Sequence, residues 1–439
     1  MATIPHIADE MQAVLGPVAD QAALETKFVQ RRSKMNGSKF AKTLVLGWLK
    51  EPQSTLEQLR QTAATQEVTI TAQGLDQRFT PAAAECLLKV LEAAVERVIA
   101  AEPVAIPVLQ RFKAVYLDDS STITLPDELR TVWQGCGGIP EQGSGAGLKL
   151  QVRLDYARGT LWGPFLQQGR DPDHRSPLQA MPVEAGSLRI ADLGYWNLAV
   201  YDQIDKQGAF WFSRIRTRLK VYDDQGREWE LGELLRQRAC PELDISVTLG
   251  LESRLPARLV ARQVPPDIAE ERRRRLRKEA KDRGRTVSAR QLAMADWSIF
   301  VTNVPAAMLS LEEALVLAHT RWQIELLFKL WKSQGHVDEW RSQKPWRILC
   351  EVYAKLIGLV IQHWILLVSC WQYPDRSLFK AARAVRDFAT SLACVVNSHQ
   401  ELCRVLEIIK SCLSVGCRIN KRKTEPHTYQ LLLALSDEP

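Results

Sequence analysis

The hydrophobic pattern of this chain changes period twice, and the two changes limit what it can fold into. From about residue 20 to residue 105 the segments read as helix. Ser54-Thr-Leu-Glu-Gln-Leu opens one helix on a Ser or Thr cap. After a break near Thr65 to Thr69, Thr71-Ala-Gln-Gly-Leu-Asp-Gln-Arg-Phe supplies a second, short one. From Pro107 to about Arg216 the chain becomes strand-rich. Ala114-Val-Tyr-Leu is an apolar strand ending on Asp118 and Asp119, and Leu188-Arg-Ile-Ala is another ending on Asp192. Leu148-Lys-Leu-Gln-Val-Arg-Leu-Asp-Tyr alternates as a half-buried strand should. Ala209-Phe-Trp-Phe-Ser-Arg, Ile245-Ser-Val-Thr-Leu and Arg258-Leu-Val-Ala-Arg follow, and Ser298-Ile-Phe-Val-Thr-Asn is the last strand. Everything beyond Ser310 reads helical again. The order predicts an α/β protein with a helical head, a sheet, a β insertion, a charged helix, one further strand and a helical tail.

At 439 residues the chain is too long for one ordinary core and predicts two or three domains. Its net charge of +7 is modest but unevenly spread. Arg272, Arg273, Arg274, Arg275, Arg277, Lys278, Lys281, Arg283, Arg285 and Arg290 crowd one segment, mostly helical with a break at Gly284. Arg31, Arg32, Lys34, Lys39 and Lys42 form a second cluster, and Arg418, Lys421, Arg422 and Lys423 a third. Three separated basic patches suit a long polyanion better than a small acidic ligand. For the second patch, neutralisation by acids brought near in the fold is the alternative. The nine cysteines include no C-x-x-C pair, so neither a disulfide framework nor a zinc site is indicated and a reducing cytosol is expected. The apolar run around Leu356 to Cys370 is interrupted by Gln362 and His363 and reads as a buried helix, not a membrane span.

Chemistry concentrates in Arg321-Trp-Gln-Ile-Glu-Leu-Leu-Phe-Lys-Leu-Trp-Lys332, which has strong helix formers and no Gly or Pro. At about 100° per residue, Ile324, Leu327, Phe328 and Trp331 form an apolar stripe. Arg321, Glu325 and Lys332 fall within about 40° of one another beside it. The structural alternative is an amphipathic helix with internal ion pairs. Glu325 with the strand-ending Asp119 and Asp192 gives three carboxylates from distant parts of the chain. Such a set can hold two divalent cations for in-line phosphoryl transfer, and Mg2+ favours oxygen donors of this kind. Taken singly, Asp119 and Asp192 could equally be turn residues. In the head, the two short helices suggest a helix-turn-helix, with Gln73, Gln77 and Arg78 able to reach base edges or phosphates.

These motifs resemble the DDE transposases of bacterial insertion sequences, in the family named after insertion sequence four. Its signature is Y-x2-R-x3-E-x6-K, and Arg321, Glu325 and Lys332 match the last three members at the right spacing. The tyrosine position falls instead on Ala318, with His319 beside it. Phe300-Val-Thr-Asn-Val-Pro and Leu311-Glu-Glu-Ala are also similar. Val115-Tyr-Leu-Asp-Asp-Ser-Ser-Thr-Ile-Thr-Leu-Pro resembles the first aspartate block and points to Asp119, and Ala191-Asp-Leu-Gly-Tyr-Trp resembles the second and points to Asp192. The resemblance extends over roughly Phe28 to Leu433.

It implies an RNase H-like catalytic core in two parts, 106–216 and 297–375, interrupted by a β-rich insertion at 217–296. A helical DNA-binding domain at 1–105 and a helical region at 376–439 flank this core. It also implies binding of terminal inverted repeats, then strand cleavage and transfer with Mg2+, for which Mn2+ can substitute. A hairpin intermediate is implied too, as are a homodimer in the synaptic complex and a cytoplasmic, nucleoid-associated location. Arg321 and Lys332 would meet DNA phosphates, as would Arg273, Arg274 and Arg277 of the basic helix. Trp297 is near the position where the family can carry a tryptophan that holds an unstacked base; a core or strand-edge tryptophan is the alternative. The competing functions are a non-catalytic DNA-binding repressor and a host nuclease of the same fold.

Overall fold

The computed structural model describes every residue except Met1, Arg32, 138–144, Ala239, Arg283, 421–425 and 436–439. Arg32, Arg283, Lys421, Arg422 and Lys423 of the basic clusters therefore lie outside the described residues. Ten strands are described: β1 (Val115–Leu125), β2 (Ala146–Asp155), β3 (Leu161–Gln168), β4 (Leu188–Ala191), β5 (Phe210–Arg214), β6 (Val221–Tyr222), β7 (Glu228–Trp229), β8 (Glu242–Leu249), β9 (Leu255–Gln263) and β10 (Trp297–Thr302). The chain divides into two compact units, each assembled from separated stretches.

The first unit holds 1–105, 119–171 and 322–429. Its centre is the helix Pro345–Ser369, whose apolar residues run all round its circumference. By length and mean hydropathy (1.6) it could cross a membrane, yet 94% of its apolar window is buried. It packs against the helices Gly37–Lys50, Pro81–Val95 and His399–Val415, which explains a surface with no polar face. Its few polar groups are spent on neighbours. Lys355 pairs with Glu351 at 2.8 Å and donates to the carbonyls of His336 and Glu339 at 3.0 and 2.9 Å. His363 Nε2 lies 2.7 Å from the carbonyl of Gly159, in the turn between β2 and β3. Gly159 has φ +69°, and a Cβ there would meet Leu367 and Trp371 at 2.4 and 2.6 Å, so only glycine lets the hairpin reach the helix. The strand order in this unit is β3-β2-β1. Contrary to the half-buried expectation, β2 is covered on both faces, with Lys149, Gln151, Arg153 and Asp155 all buried. Polar residues at alternate positions satisfied the pattern without facing water. The strand β3 went unrecognised because Gly163-Pro164 interrupts its apolar run.

The expected pair of short helices is present as Leu56–Thr65, with a Thr55–Gln58 capping box, and Ala72–Asp76, capped by Thr71. The second is only five residues long and stops short of Phe79.

The second unit holds 106–118, 172–321 and 430–439. Its strand order is β1-β4-β5-β10-β9-β8-β6-β7. β1, β4 and β5 are parallel, and the helix Leu198–Lys206 makes the β4-to-β5 crossover. Their short apolar runs suit strands buried on both faces. The remaining pairings are antiparallel. The β insertion is not a separate sheet, because β9 pairs with β10 from Trp297↔Gln263 to Thr302↔Arg258. β10 thereby hydrogen-bonds β5 on one edge and β9 on the other.

Full burial pulls the His363 pKa down to about 4 from the usual 6.5. A lowered pKa favours folding above 6.5, and that contribution is lost as pH falls through about 4. The unfolding free energy from urea titrations should therefore drop between pH 6.5 and 4, by up to about 3 kcal/mol from this group. His363→Phe should be less stable at pH 7 but show a flatter profile across that window.

Candidate active site

The two adjacent aspartates of β1 have opposite fates, because successive strand residues point to opposite faces. Asp118 is fully buried, and its carboxylate accepts Arg189 Nε at 2.7 Å. Asp119 is half-buried, and its Oδ1 accepts the Ser120 N–H at 2.8 Å. The strand does not stop at the acids but continues to Leu125, so Asp119 is held by regular backbone and not by a turn.

Asp192 follows the last residue of β4, where the chain enters the single turn Leu193–Tyr195. Its carbonyl accepts the Tyr195 N–H at 3.0 Å. Its carboxylate makes no capping bond to that turn and so is not consumed by the turn role considered from sequence. Gly194 is required here for space: a Cβ would come within 2.8 Å of Asp173 Oδ2. Asp173, in the single turn Asp173–Arg175, was not singled out from sequence, since nothing local marks a residue that packs against a distant glycine.

Glu325 is half-buried on the helix Trp322–Ser333, whose expected stripe of Ile324, Leu327, Phe328 and Trp331 is buried. Lys332, on the same helix, donates to the Thr122 carbonyl of β1 at 3.0 Å and lies 3.9 Å from Asp338. It thus straps the glutamate helix to the strand that carries Asp119. Arg321 lies outside the helix that carries Glu325. It ends the separate turn His319–Arg321, one residue before the helix starts. A Cα-based 100° count assumed continuous helix through a point where the backbone tightens. Trp322 was passed over and is 54% exposed. It stands about 170° from the apolar stripe and about 60° from Glu325. A tryptophan on the polar side of an amphipathic helix was the available signal.

Trp297 opens β10 and is half-buried, its carbonyl accepting Arg272 Nη1 at 3.0 Å. The basic helix Pro266–Asp282 buries only Ala269, as its composition predicts. Its cations are nevertheless not all free. Arg272 also donates to Ser298 Oγ at 3.1 Å, and burial together with Arg214 lowers its pKa. Arg273 pairs with Glu270 at 3.1 Å and with Asp296. Arg277 reaches Glu270 at 3.2 Å while staying exposed. Arg274 is exposed and in no ion pair among the described residues. One edge of the helix therefore lies along β10 at Arg272, and i,i+3 spacing gives Arg273 a carboxylate of its own helix. In the helical head Gln73 and Gln77 are exposed, whereas Arg78 is half-buried and donates to Ser33 Oγ at 3.1 Å.

Asp119 and Glu325 belong to the first unit and Asp192 to the second. Among the described residues no three Asp, Glu, His or Cys side chains are grouped closely enough to hold a metal ion. The three carboxylates suit a hard divalent cation by donor type, and not by present grouping.

Residues 113–361 match the family model described as the transposase DDE domain. The chain belongs to the DDE transposase family. The match spans Asp119, Asp192 and Glu325 together with the strands and helix that carry them. The transposase is also similar over its length to the transposase for insertion sequence element IS231F of Bacillus thuringiensis subsp. israelensis. The two are 24% identical over 97% of this chain and 94% of that protein. The transposase for element IS1151 of Clostridium perfringens is 22% identical over 80% of this chain and 78% of its own. The putative transposase InsL for element IS186A of Escherichia coli K12 is 34% identical over 48% of this chain and 59% of its own. DDE transposase domains generally work with divalent metal ions.

The two neighbouring aspartates separate experimentally. Asp118→Asn leaves Arg189 buried without its counter-charge and should cost about 3 kcal/mol in chemical denaturation. Asp119→Asn should leave the denaturation midpoint nearly unchanged and abolish DNA cleavage.

Proposed function

We propose that the transposase binds the terminal inverted repeats of an insertion sequence and cuts and joins DNA there, with Asp119, Asp192 and Glu325 as its catalytic acids. The observation that carries this reading is the family match, which spans all three carboxylates and both elements of the signature helix, Glu325 and Lys332. The names of the similar proteins support an insertion sequence as the substrate. The parallel β1-β4-β5 arrangement with a helical crossover supports an RNase H-like core at 106–216 and 297–375, with 217–296 inserted. The signature spacing supports membership of the family named after insertion sequence four.

The three acids would hold Mg2+, or Mn2+ in its place. A divalent cation held there would supply Lewis-acid activation of the attacking oxygen and charge stabilisation at the phosphoryl group. The chain's own residues bind and orient the DNA. Lys332 holds the glutamate helix against β1, and its ammonium, partly exposed, lies beside the acids' helix to meet a strand phosphate. Arg321 serves the same phosphate backbone from the preceding turn. Exposed Trp322 offers a face on which an unstacked base can rest, a part for which half-buried Trp297 is less open. A hairpin intermediate would need such a platform. Arg274 and Arg277 meet phosphates from the basic helix, while Arg273 keeps that helix on β10. The helical head at 1–105 reads the repeat, with Gln73 and Gln77 at base edges and Arg31 and Lys34 at phosphates. There Arg78 anchors the 27–36 loop instead of touching DNA. Two ends brought together call for a homodimer, in the cytoplasm with the nucleoid; the segment 376–439 completes the helical support.

The deciding experiment incubates the protein with duplexes of the element's two ends and Mg2+. Parent protein should nick, form hairpins and join strands. Asp192→Asn and Glu325→Gln should bind the ends within about twofold of parent and give no product; product from either would remove the acid from the mechanism. Trp322→Ala should retain nicking and lose most hairpin product. Replacing Arg31 and Lys34 together with Ala should lower the slope of log K against log salt by about 2.

A further inference from the structure

A single line of hydrogen bonds runs through the second unit from β1 to the turn that carries Asp192. Arg189 on β4 is 1% exposed. Its guanidinium donates through Nε to Asp118 at 2.7 Å and through Nη2 to the amide oxygen of Gln179 at 2.9 Å. Gln179 Nε2 in turn donates to the Tyr195 carbonyl at 2.7 Å. The orientation of Gln179 is forced. A guanidinium only donates and a carbonyl only accepts, so the amide must turn its oxygen to Arg189 and its nitrogen to Tyr195. The Arg189 guanidinium also lies 5.9 Å from the centre of the Tyr195 ring. In register, Asp118 stands beside Ala191, the residue just before Asp192.

The turn Leu193–Tyr195 is thereby pinned from both sides. Gln179 holds its last carbonyl, and Asp173 packs against Gly194 in its middle. Both come from the segment 173–179, where Ser176 is buried and its hydroxyl caps the short turn Pro177–Gln179 at 3.2 Å. The Asp192 carbonyl is bonded to the Tyr195 N–H, so the direction of the Asp192 side chain depends on where Tyr195 is held.

We propose that Gln179 and Arg189 are positioning residues for the reaction: they fix the aim of Asp192 through Tyr195 and tie its turn to Asp118 on β1. The inference rests on the reading of Asp192 as a catalytic acid. Misplacing a catalytic group by a fraction of an ångström slows chemistry while leaving ligand affinity alone, because affinity comes from the many phosphate contacts elsewhere.

The test uses the full-length transposase, duplexes of the element's two ends and Mg2+, with Gln179→Met and Gln179→Glu. Both variants lose the donor to Tyr195, and both leave the Asp118–Arg189 pair in place. Single-turnover cleavage should slow about tenfold, while the Kd for end DNA stays within about twofold and the melting temperature within a few degrees. Parental cleavage rates in either folded variant would overturn the proposal. So would a loss of binding and rate in equal proportion to a loss of folded protein, which marks a purely structural part. Asp192→Asn and Glu325→Gln are run alongside. If those cleave, the assignment of the acids falls and the proposal with it. If they are inactive while both Gln179 variants cleave normally, only the positioning role fails.

Discussion

The buried pair of Asp118 and Arg189 is the interaction on which the β1–β4 part of the second unit depends. Removing both charges from water costs several kcal/mol each, and a bond of good geometry offsets that cost without turning it into much net stability. What the pair provides is uniqueness. A guanidinium with no access to water must have its donors met, and its bonds to Asp118 and Gln179 tie β1, β4 and the 173–179 segment together. With Asp118 committed inward, strand alternation leaves Asp119 for the opposite face. One buried charge therefore fixes which of two neighbouring acids turns inward to Arg189 and which faces the other way.

The first unit rests on a different constraint. The helix Pro345–Ser369 carries apolar residues on every side and has to be covered almost throughout. Helices from the beginning and end of the chain supply that cover, which is why residues near 40, 90 and 405 share one core. The helix also anchors what lies near the site. Its Lys355 fastens the stretch just after the glutamate helix, and its His363 holds the turn that joins β2 to β3. Lys332 then closes the arrangement by fastening the glutamate helix to β1. Three cationic or imidazole side chains, through long-range bonds to main-chain carbonyls, thus tie down the glutamate helix, the stretch after it and the strands beside it.

Local sequence carried much of the site because each candidate acid lies in or just after a short element with a strong signal. The strand before Asp118, the strand before Asp192 and the stripe behind Glu325 are all matters of period and propensity, which act over a few residues. The same locality explains the failures. Arg321 was placed on the glutamate helix because nothing in the composition marks the tight turn at His319–Arg321. Arg273 and Arg78 were read as free cations, and their partners Asp296 and Ser33 are 23 and 45 residues away. The alternation of β2 predicted a wet face that neighbouring chain covers.

From its sequence alone the transposase determined its element types, the order of helical, strand and basic segments, and the three carboxylates with their spacing, all properties set by residues near one another. Only the tertiary structure decided that Asp118 is the buried partner of Arg189, that β9 joins the sheet at β10, that Trp322 faces outward, and that Gln179 links Arg189 to the Asp192 turn. Each of these depends on burial and on hydrogen bonds between residues far apart in the chain, and a linear pattern carries no record of which distant groups will be left without water.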